Sequence, residues 1–217
     1  MRFRDRKDAG ERLAVELAGL GLTDPLLAAI PRGGVIVADA VARTLGWPLD
    51  VVLPRKLRAP GQPELAFGAV AGEGFVYLDA RLARALRVTD AYLQQEIGAQ
   101  IAEGRRRHAA YRGERPPLEV RGCTVVLVDD GLATGATTIA AVRMLRHELP
   151  REIVVAAPVG SDDAVQRLAR EADRVVCTQR PAGFTAVGAY YHEFHQVSDD
   201  EVVACLARVW AQKVRER

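Results

Sequence analysis

No apolar run in this 217-residue chain approaches the roughly 20 residues of a membrane-spanning helix. Met1-Arg2-Phe3-Arg4-Asp5 has no apolar core and does not read as a signal peptide. Cysteine is scarce. Cys123, Cys177 and Cys205 are odd in number and far apart, which argues against a disulfide framework or a zinc cluster and for a reducing compartment. The cytoplasm is the expected location, with no membrane partner. A strong charge of one sign is missing too: the net charge is +2, so a nucleic-acid partner is not expected. Lysine is nearly absent. Of 30 basic residues only Lys7, Lys56 and Lys213 are lysines, and of these Lys56 alone lies far from a terminus. In a chain that uses arginine wherever a generic positive charge will do, that lysine stands out. There is no internal repeat and no low-complexity segment.

What is present suits one globular domain over 1–217, with 49% hydrophobic and 27% charged residues. Leu13, Leu17 and Leu20 fall at helical spacing within 8–20, and Gly19 and Gly21 stop that helix. Strands are read at Leu26–Ile30 and Leu49–Leu53, with a helix from Val35 to Leu45 between them. Residues 54–66 hold Pro54, Pro60, Gly61 and Pro63 and read as a loop. Phe67–Val70 and Phe75–Leu78 flank Ala71-Gly72-Glu73-Gly74 as a hairpin. Residues 79–112 read as two helices broken near Arg87-Val88-Thr89, with Thr89 an N-cap. Then come a strand at Ile153–Ala157, a helix at Asp162–Glu171 and a strand at Arg174–Cys177. Ser198-Asp199-Asp200-Glu201 is a capping box that opens a final helix. Strands alternating with helices predict an α/β fold, a mainly parallel β-sheet flanked by helices.

The most telling stretch is Val125-Val126-Leu127-Val128-Asp129-Asp130-Gly131-Leu132-Ala133-Thr134-Gly135-Ala136-Thr137-Thr138. Four apolar residues read as a buried parallel strand, two carboxylates end it, a Gly/Thr turn follows, and helical period resumes at Ile139. The free N–H groups of such a turn, and the helix N-terminus behind it, face a phosphate. Paired acids accept hydrogen bonds from sugar hydroxyls or hold a metal. The pattern suits a phosphorylated, hydroxyl-rich ligand. It is not a P-loop, because the turn has no lysine, and Gly131 and Gly135 do not fit a dinucleotide fingerprint. In open sheets the ligand crevice lies at the carboxyl ends of the strands, where three polar loops fall: 31–34, 54–66 and 129–138.

Acid-acid-x-x-x-Thr-Gly-x-Thr after an apolar strand resembles the signature of the type I phosphoribosyltransferases, and the resemblance covers roughly residues 24–56 and 120–180. It implies a fold of that type, with Mg²⁺ as cofactor. The implied substrates are phosphoribosyl diphosphate (PRPP) and a small nitrogenous acceptor such as a nucleobase, with diphosphate released. Asp129 and Asp130 would then orient the ribose through its 2′- and 3′-hydroxyls and sit near Mg²⁺, directly or through water. Ala133, Thr134, Gly135, Ala136, Thr137 and Thr138 would wrap the 5′-phosphate. Pro31-Arg32-Gly33-Gly34-Val35 resembles the diphosphate loop, in which Gly33 and Gly34 let backbone approach an anion and Arg32 adds a planar fork. Pro54-Arg55-Lys56-Leu57 places two cations at a strand end, suited to a diphosphate leaving group, and 57–66 would form a lid. The sugar passes through an oxocarbenium-like state, so Mg²⁺ and the cations Arg32, Arg55 and Lys56 must neutralise the departing charge.

Where hypoxanthine–guanine enzymes carry a base-contacting aspartate, this chain has Ala133, a pattern closer to the adenine and orotate enzymes. A general acid or base must come from elsewhere, for example Glu64 in the lid, or from the substrate. Residues 180–217 are expected to supply a small hood and the C-terminal helix. There Phe184, Tyr190 and Tyr191 either stack on a base or belong to the core, while His192 and His195 lack a third metal ligand nearby in sequence. The helical insert 79–115 has no counterpart in the familiar enzymes and is expected to cover the site or to form a homodimer contact. Its Arg105-Arg106-Arg107-His108 run reads as a solvated face beside Glu96, Glu103 and Glu114. The alternative from another class is a PRPP- or nucleotide-binding regulator that keeps the fold and has little catalysis; a third, diphosphate transfer of the PRPP-synthetase kind, lacks any ATP-binding flag.

Overall fold

The structure, a computed structural model, describes residues 2–71, 75–116 and 119–215; the side chains of Pro63, Glu64, Ala71 and 212–215 lie outside the described set. In chain order the elements are α1 (Arg6–Ala18), β1 (Pro25–Ala29), α2 (Gly33–Leu45), β2 (Leu49–Val51), β3 (Arg55–Ala59), β4 (Gln62–Ala71), β5 (Phe75–Leu78), α3 (Ala80–Ala85) and α4 (Asp90–Arg112). There follow β6 (Thr124–Val128), α5 (Ala136–His147), β7 (Glu152–Val159), α6 (Asp162–Leu168), β8 (Arg174–Gln179), a 3₁₀ turn (Val187–Tyr190) and α7 (Asp199–Arg215).

Five strands pair in parallel in the order β2-β1-β6-β7-β8. Every residue of β6 is buried, because both faces of the sheet are covered. The pleat sends alternate side chains to opposite layers. Leu27, Val126, Val128 and Val154 pack with Leu13, Val35 and Val202 of α1, α2 and α7. Leu26, Val125, Leu127 and Val155 pack with Ile139, Val142 and Leu168 of α5 and α6. Each such fully buried side chain contributes about 1.5–3 kcal/mol. The expected α/β architecture is therefore present. From β1 the chain turns outward to β2, and from β6 it turns the other way to β7. The order reverses between β1 and β6, which is where a crevice opens at the carboxyl ends of the strands.

Residues 54–66 are not the loop that their prolines and glycine suggested. Most of them form β3 and β4, which with β5 make a three-stranded antiparallel sheet. The breakers Pro60 and Gly61 mark the tip, where Gly61 has φ +70°. The strand forms because Leu57 and Ala59 alternate with polar Lys56 and Arg58. With Phe67 and Val70 they build a small core against Leu82 of α3 and Tyr92, Ile97 and Ile101 of α4. Asp79 caps α3 and Thr89 caps α4, with Arg87 between them in a left-handed turn at φ +53°. The turn 72–74 of the hairpin lies outside the described residues.

Two polar devices tie the outer helices to the sheet. The Ser198 amide donates to Glu201 Oε2 at 2.7 Å and the Glu201 amide to Ser198 Oγ at 3.2 Å, so the capping box starts α7. Arg112, at the end of α4, forms a two-pronged ion pair with Asp50 of β2, Nε to Oδ1 at 2.8 Å and Nη2 to Oδ2 at 2.7 Å, with both side chains under a tenth exposed. Among the described residues no helix is long and apolar enough to cross a membrane. Taking away the guanidinium while the Asp50 charge stays buried costs several kcal/mol. Arg112→Met is expected to lower unfolding stability by about 3 kcal/mol in a urea titration, with Asp50→Asn in the same chain restoring part of the loss.

Candidate active site

The chain leaves β6 at Asp129 and Asp130. Asp129 Oδ1 accepts the Asp130 amide at 2.9 Å, and its Oδ2 accepts the Thr138 hydroxyl at 3.3 Å. The turn beyond is pinned from below: the Leu132 amide donates to Val159 O at 2.8 Å, and the Ser161 hydroxyl to Ala133 O at 2.8 Å. Gly135 takes φ +71° to swing the chain into α5, a conformation that favours glycine. The first amides of α5 have no intrahelical acceptor, and the Ala136 amide donates to Thr134 Oγ at 3.4 Å. Ala133 and Thr134 are exposed, and Ala136 and Thr137 are half-buried. A turn with free helix-start amides thus lies just beyond the acid pair.

The loop after β1 presses against the same strand end, following a cis peptide between Pro31 and Arg32. A Cβ at Gly34 would lie 2.7 Å from the Val128 carbonyl oxygen and 3.0 Å from Asp129 Cα. A Cβ at Gly33 would run into the Asp130 carboxylate. Only bare backbone can bring these two loops together.

The sequence reading missed Arg6. Its Nε donates to Asp130 Oδ2 at 2.7 Å, with the two side chains 8% and 18% exposed. Its Nη1 donates to His195 O at 2.9 Å, and its guanidinium sits 3.8 Å from the centre of the Phe194 ring. The Tyr191 hydroxyl donates to the backbone carbonyl of Asp130 at 2.6 Å, and Tyr191 packs on Phe3. Helical spacing held the signal: Arg6 shares the buried stripe of α1 with Gly10, Leu13 and Leu17.

Other expected residues divide. Lys56 and Arg55 are neighbours on β3, and the pleat sends them apart. Lys56 acts electrostatically on Asp129. Arg55 Nε donates to Gln100 of α4 at 3.1 Å, in the wall of a different cavity, so the pair of cations is not delivered to one leaving group. Arg32 lies 4.0 Å from Asp199, which also accepts the Tyr111 hydroxyl at 2.6 Å and pushes that phenol up to about 12, after burial. Thr138 is buried and its hydroxyl is spent on Asp129, so among the expected phosphate contacts its side chain turns inward. The Glu64 side chain lies outside the described residues. Phe184 stacks on Tyr190 with centroids 5.5 Å apart, and buried Tyr191 belongs to the core around Phe3. His192 and His195 are exposed, and His195 Nε2 lies 3.2 Å from Glu201. Arg106 and Arg107 share Glu103, whose carboxyl they hold down to about 2.

The phosphoribosyl transferase domain family matches residues 4–193, most of the chain. The chain belongs to the phosphoribosyl transferase domain family. Two curated Mycobacterium tuberculosis relatives, one named "Putative phosphoribosyl transferase Rv0571c", are each 45% identical over 206 residues. That is 95% of this chain and 46% of theirs, so the chain spans about half the length of the curated relatives it matches. The crystal structure of TT1426 from Thermus thermophilus is 50% identical, with a TM-score of 0.85 over 96% of this chain and 99% of that one.

In this phosphoribosyl transferase domain the acid pair is electrostatically uneven. Burial, then the neighbouring Asp130 charge, holds the Asp129 carboxyl well above the usual carboxylate range, against the Asp130 amide, Thr138 and Lys56. Among the described residues no group of three or more His, Cys, Asp and Glu is gathered as for a protein-only metal cage. Two carboxylates on a strand end instead fit Mg²⁺, which takes one or two carboxylates and completes its shell from substrate oxygens and water. A carboxyl whose folded pKa is raised contributes stability below its unfolded pKa and loses it as pH rises through the folded value. Asp129→Asn is therefore expected to stabilise the ligand-free protein at pH 7 by an amount of order 1 kcal/mol, seen as a higher melting temperature. The gain should shrink as pH falls into the acid range, read by thermal unfolding across a pH series.

Proposed function

We propose that the protein is a Mg²⁺-dependent phosphoribosyltransferase, acting in the cytoplasm, that moves the ribosyl 5-phosphate of PRPP onto a small nitrogenous acceptor and releases diphosphate. The observation that carries this reading is the meeting of the loop after β1 with the loop after β6, at the point where the strand order reverses. There the acid pair, the start of α5 and the Gly33–Gly34 backbone meet within two short loops.

The roles follow from the chemistry of each group. The amides at the start of α5, with Thr134 and Thr137, receive the 5′-phosphate, each helix terminus contributing about 0.3–2 kcal/mol toward an anion. Asp129 and Asp130 accept the 2′- and 3′-hydroxyls, and Arg6 and Tyr191 hold Asp130 in place for that purpose. The Gly33 and Gly34 amides lie along the diphosphate, and Lys56 adds a compact charge as the C1–oxygen bond breaks. Mg²⁺, when bound, would screen the diphosphate so that it departs with its electron pair. The acceptor nitrogen then forms the new bond to C1 and loses its proton to solvent or to a base of its own. Ala133 cannot take that proton, so acceptors with an acidic N–H or a free lone pair suit the site.

Following ³¹P NMR of the protein with Mg²⁺, PRPP and a panel of nucleobases and small amines is expected to show diphosphate release with a subset of acceptors. Binding of PRPP without turnover on any of them would place the protein with regulators of the same fold. Asp129→Asn with Asp130→Asn is expected to abolish PRPP binding while the fold survives; unchanged affinity would remove the acid pair from the ribose. Arg6→Gln should weaken PRPP binding roughly tenfold, the scale of one lost charge-assisted bond. PRPP should also bind more tightly as pH rises above the ordinary carboxylate range, since the hydroxyls need the ionised Asp129.

A further inference from the structure

A cavity of about 590 Å³ lies on the other side of β3 from Lys56, between that strand, the end of β2, α4 and α5. No residue of the loops 31–34 or 129–138 lines it. Its size is that of a small-molecule site. The floor is apolar, with Val52, Val70, Ile101, Val120 and Met144. The thioether of Met144 lets that surface adapt to a guest. The polar lining is Arg55, Gln100, Arg105, His108 and Arg112, with a single carboxylate, the exposed Glu148.

The cations are not equivalent. Arg112 is committed to Asp50. Arg55 is half-buried, and the partner of its Nε is the neutral amide of Gln100, itself 7% exposed. The nearby carboxylate, Glu103, is already shared by Arg106 and Arg107. Burial and the Arg107 charge push the Arg55 guanidinium below its ordinary value, against the pull of the Glu103 carboxylate.

Gly104 leaves room beside Arg55, while Gly98 of the same helix is equally unpacked and lies outside the cavity lining. Gly104 sits in the interior of α4, where glycine costs about 1 kcal/mol against alanine. No close packing demands it, since a Cβ there would meet only Arg55 Cγ, at 3.8 Å. The space left by the missing side chain is part of the cavity, beside Arg55.

We propose that this cavity is a second binding site, for a small molecule with an apolar body and one anionic head, the head held by Arg55 and the body seated on the Val52–Met144 floor. The guanidinium fork matches a carboxylate or a phosphate equally in kind. Because Arg55 and Lys56 are consecutive on β3, a guest fixes the strand from which Lys56 acts electrostatically on Asp129.

The site can be tested on the whole protein without PRPP, so its failure is separate from any failure of the transferase reading. Isothermal titration calorimetry with 2-naphthoate, decanoate and decyl phosphate is expected to show one site per chain for at least one of them. The neutral matches, 2-naphthol and decanol, should bind at least tenfold more weakly. Arg55→Gln and Gly104→Leu, the second filling the space with a good helix former, should each weaken binding at least tenfold, with circular dichroism unchanged. Failure of all three anions to bind, equal affinity for the neutral matches, or wild-type affinity in either variant would overturn the assignment.

Discussion

The candidate site rests on the contact between the bare backbone of Gly33 and the carboxylate of Asp130, closed from the far side by Arg6. Three distant parts of the chain meet there: the start of α1, the loop after β1 and the end of β6. Two close-packed parallel strands leave little room between their exit loops, and any side chain at 33 would occupy the place of the carboxylate. The buried guanidinium in turn offsets part of the charge that the acid pair concentrates at the crevice. A charge-assisted bond of this kind is worth about 1.5–3 kcal/mol. Its geometric effect matters more, since it fixes one oxygen of Asp130 and so orients the other.

The same contact explains why the terminal segments are built as they are. Tyr191 and Phe194 bracket Asp130 and Arg6 from the C-terminal side, and Phe3 pairs with Tyr191 from the N-terminal side. Tyr191 and Phe194 thereby brace Asp130 and its partner Arg6, while Phe184 and Tyr190 stack on each other. The hairpin β3–β4 carries its own core, shared with α3 and α4, so Lys56 is presented by a separately packed unit. Burial and the Asp130 charge raise the Asp129 carboxyl, and Thr138 turns inward to donate to it.

Much of the frame was legible. Apolar runs such as Val125–Val128 read correctly as buried parallel strands, because burial on both faces removes polar alternation. Thr89 and Ser198–Glu201 read correctly as helix starts, because capping depends on residues within four positions. The segment 54–66 reads as a loop because Pro60 and Gly61 mark a tip as well as a loop, and its strand character rests on Leu57 and Ala59, whose partners in α3 and α4 are distant in sequence.

Local order along the chain determined which segments become strands and helices, where they begin, and that an acid pair precedes a Gly/Thr turn into a helix. These follow from periodicity, caps and turn chemistry, which act over a few residues. Tertiary structure alone decided that Arg6 joins Asp130 across 124 positions, that Arg55 and Lys56 serve opposite sides of a strand, and that a second cavity opens behind them. Those outcomes depend on which faces are brought together in space, and no spacing within a single segment encodes them.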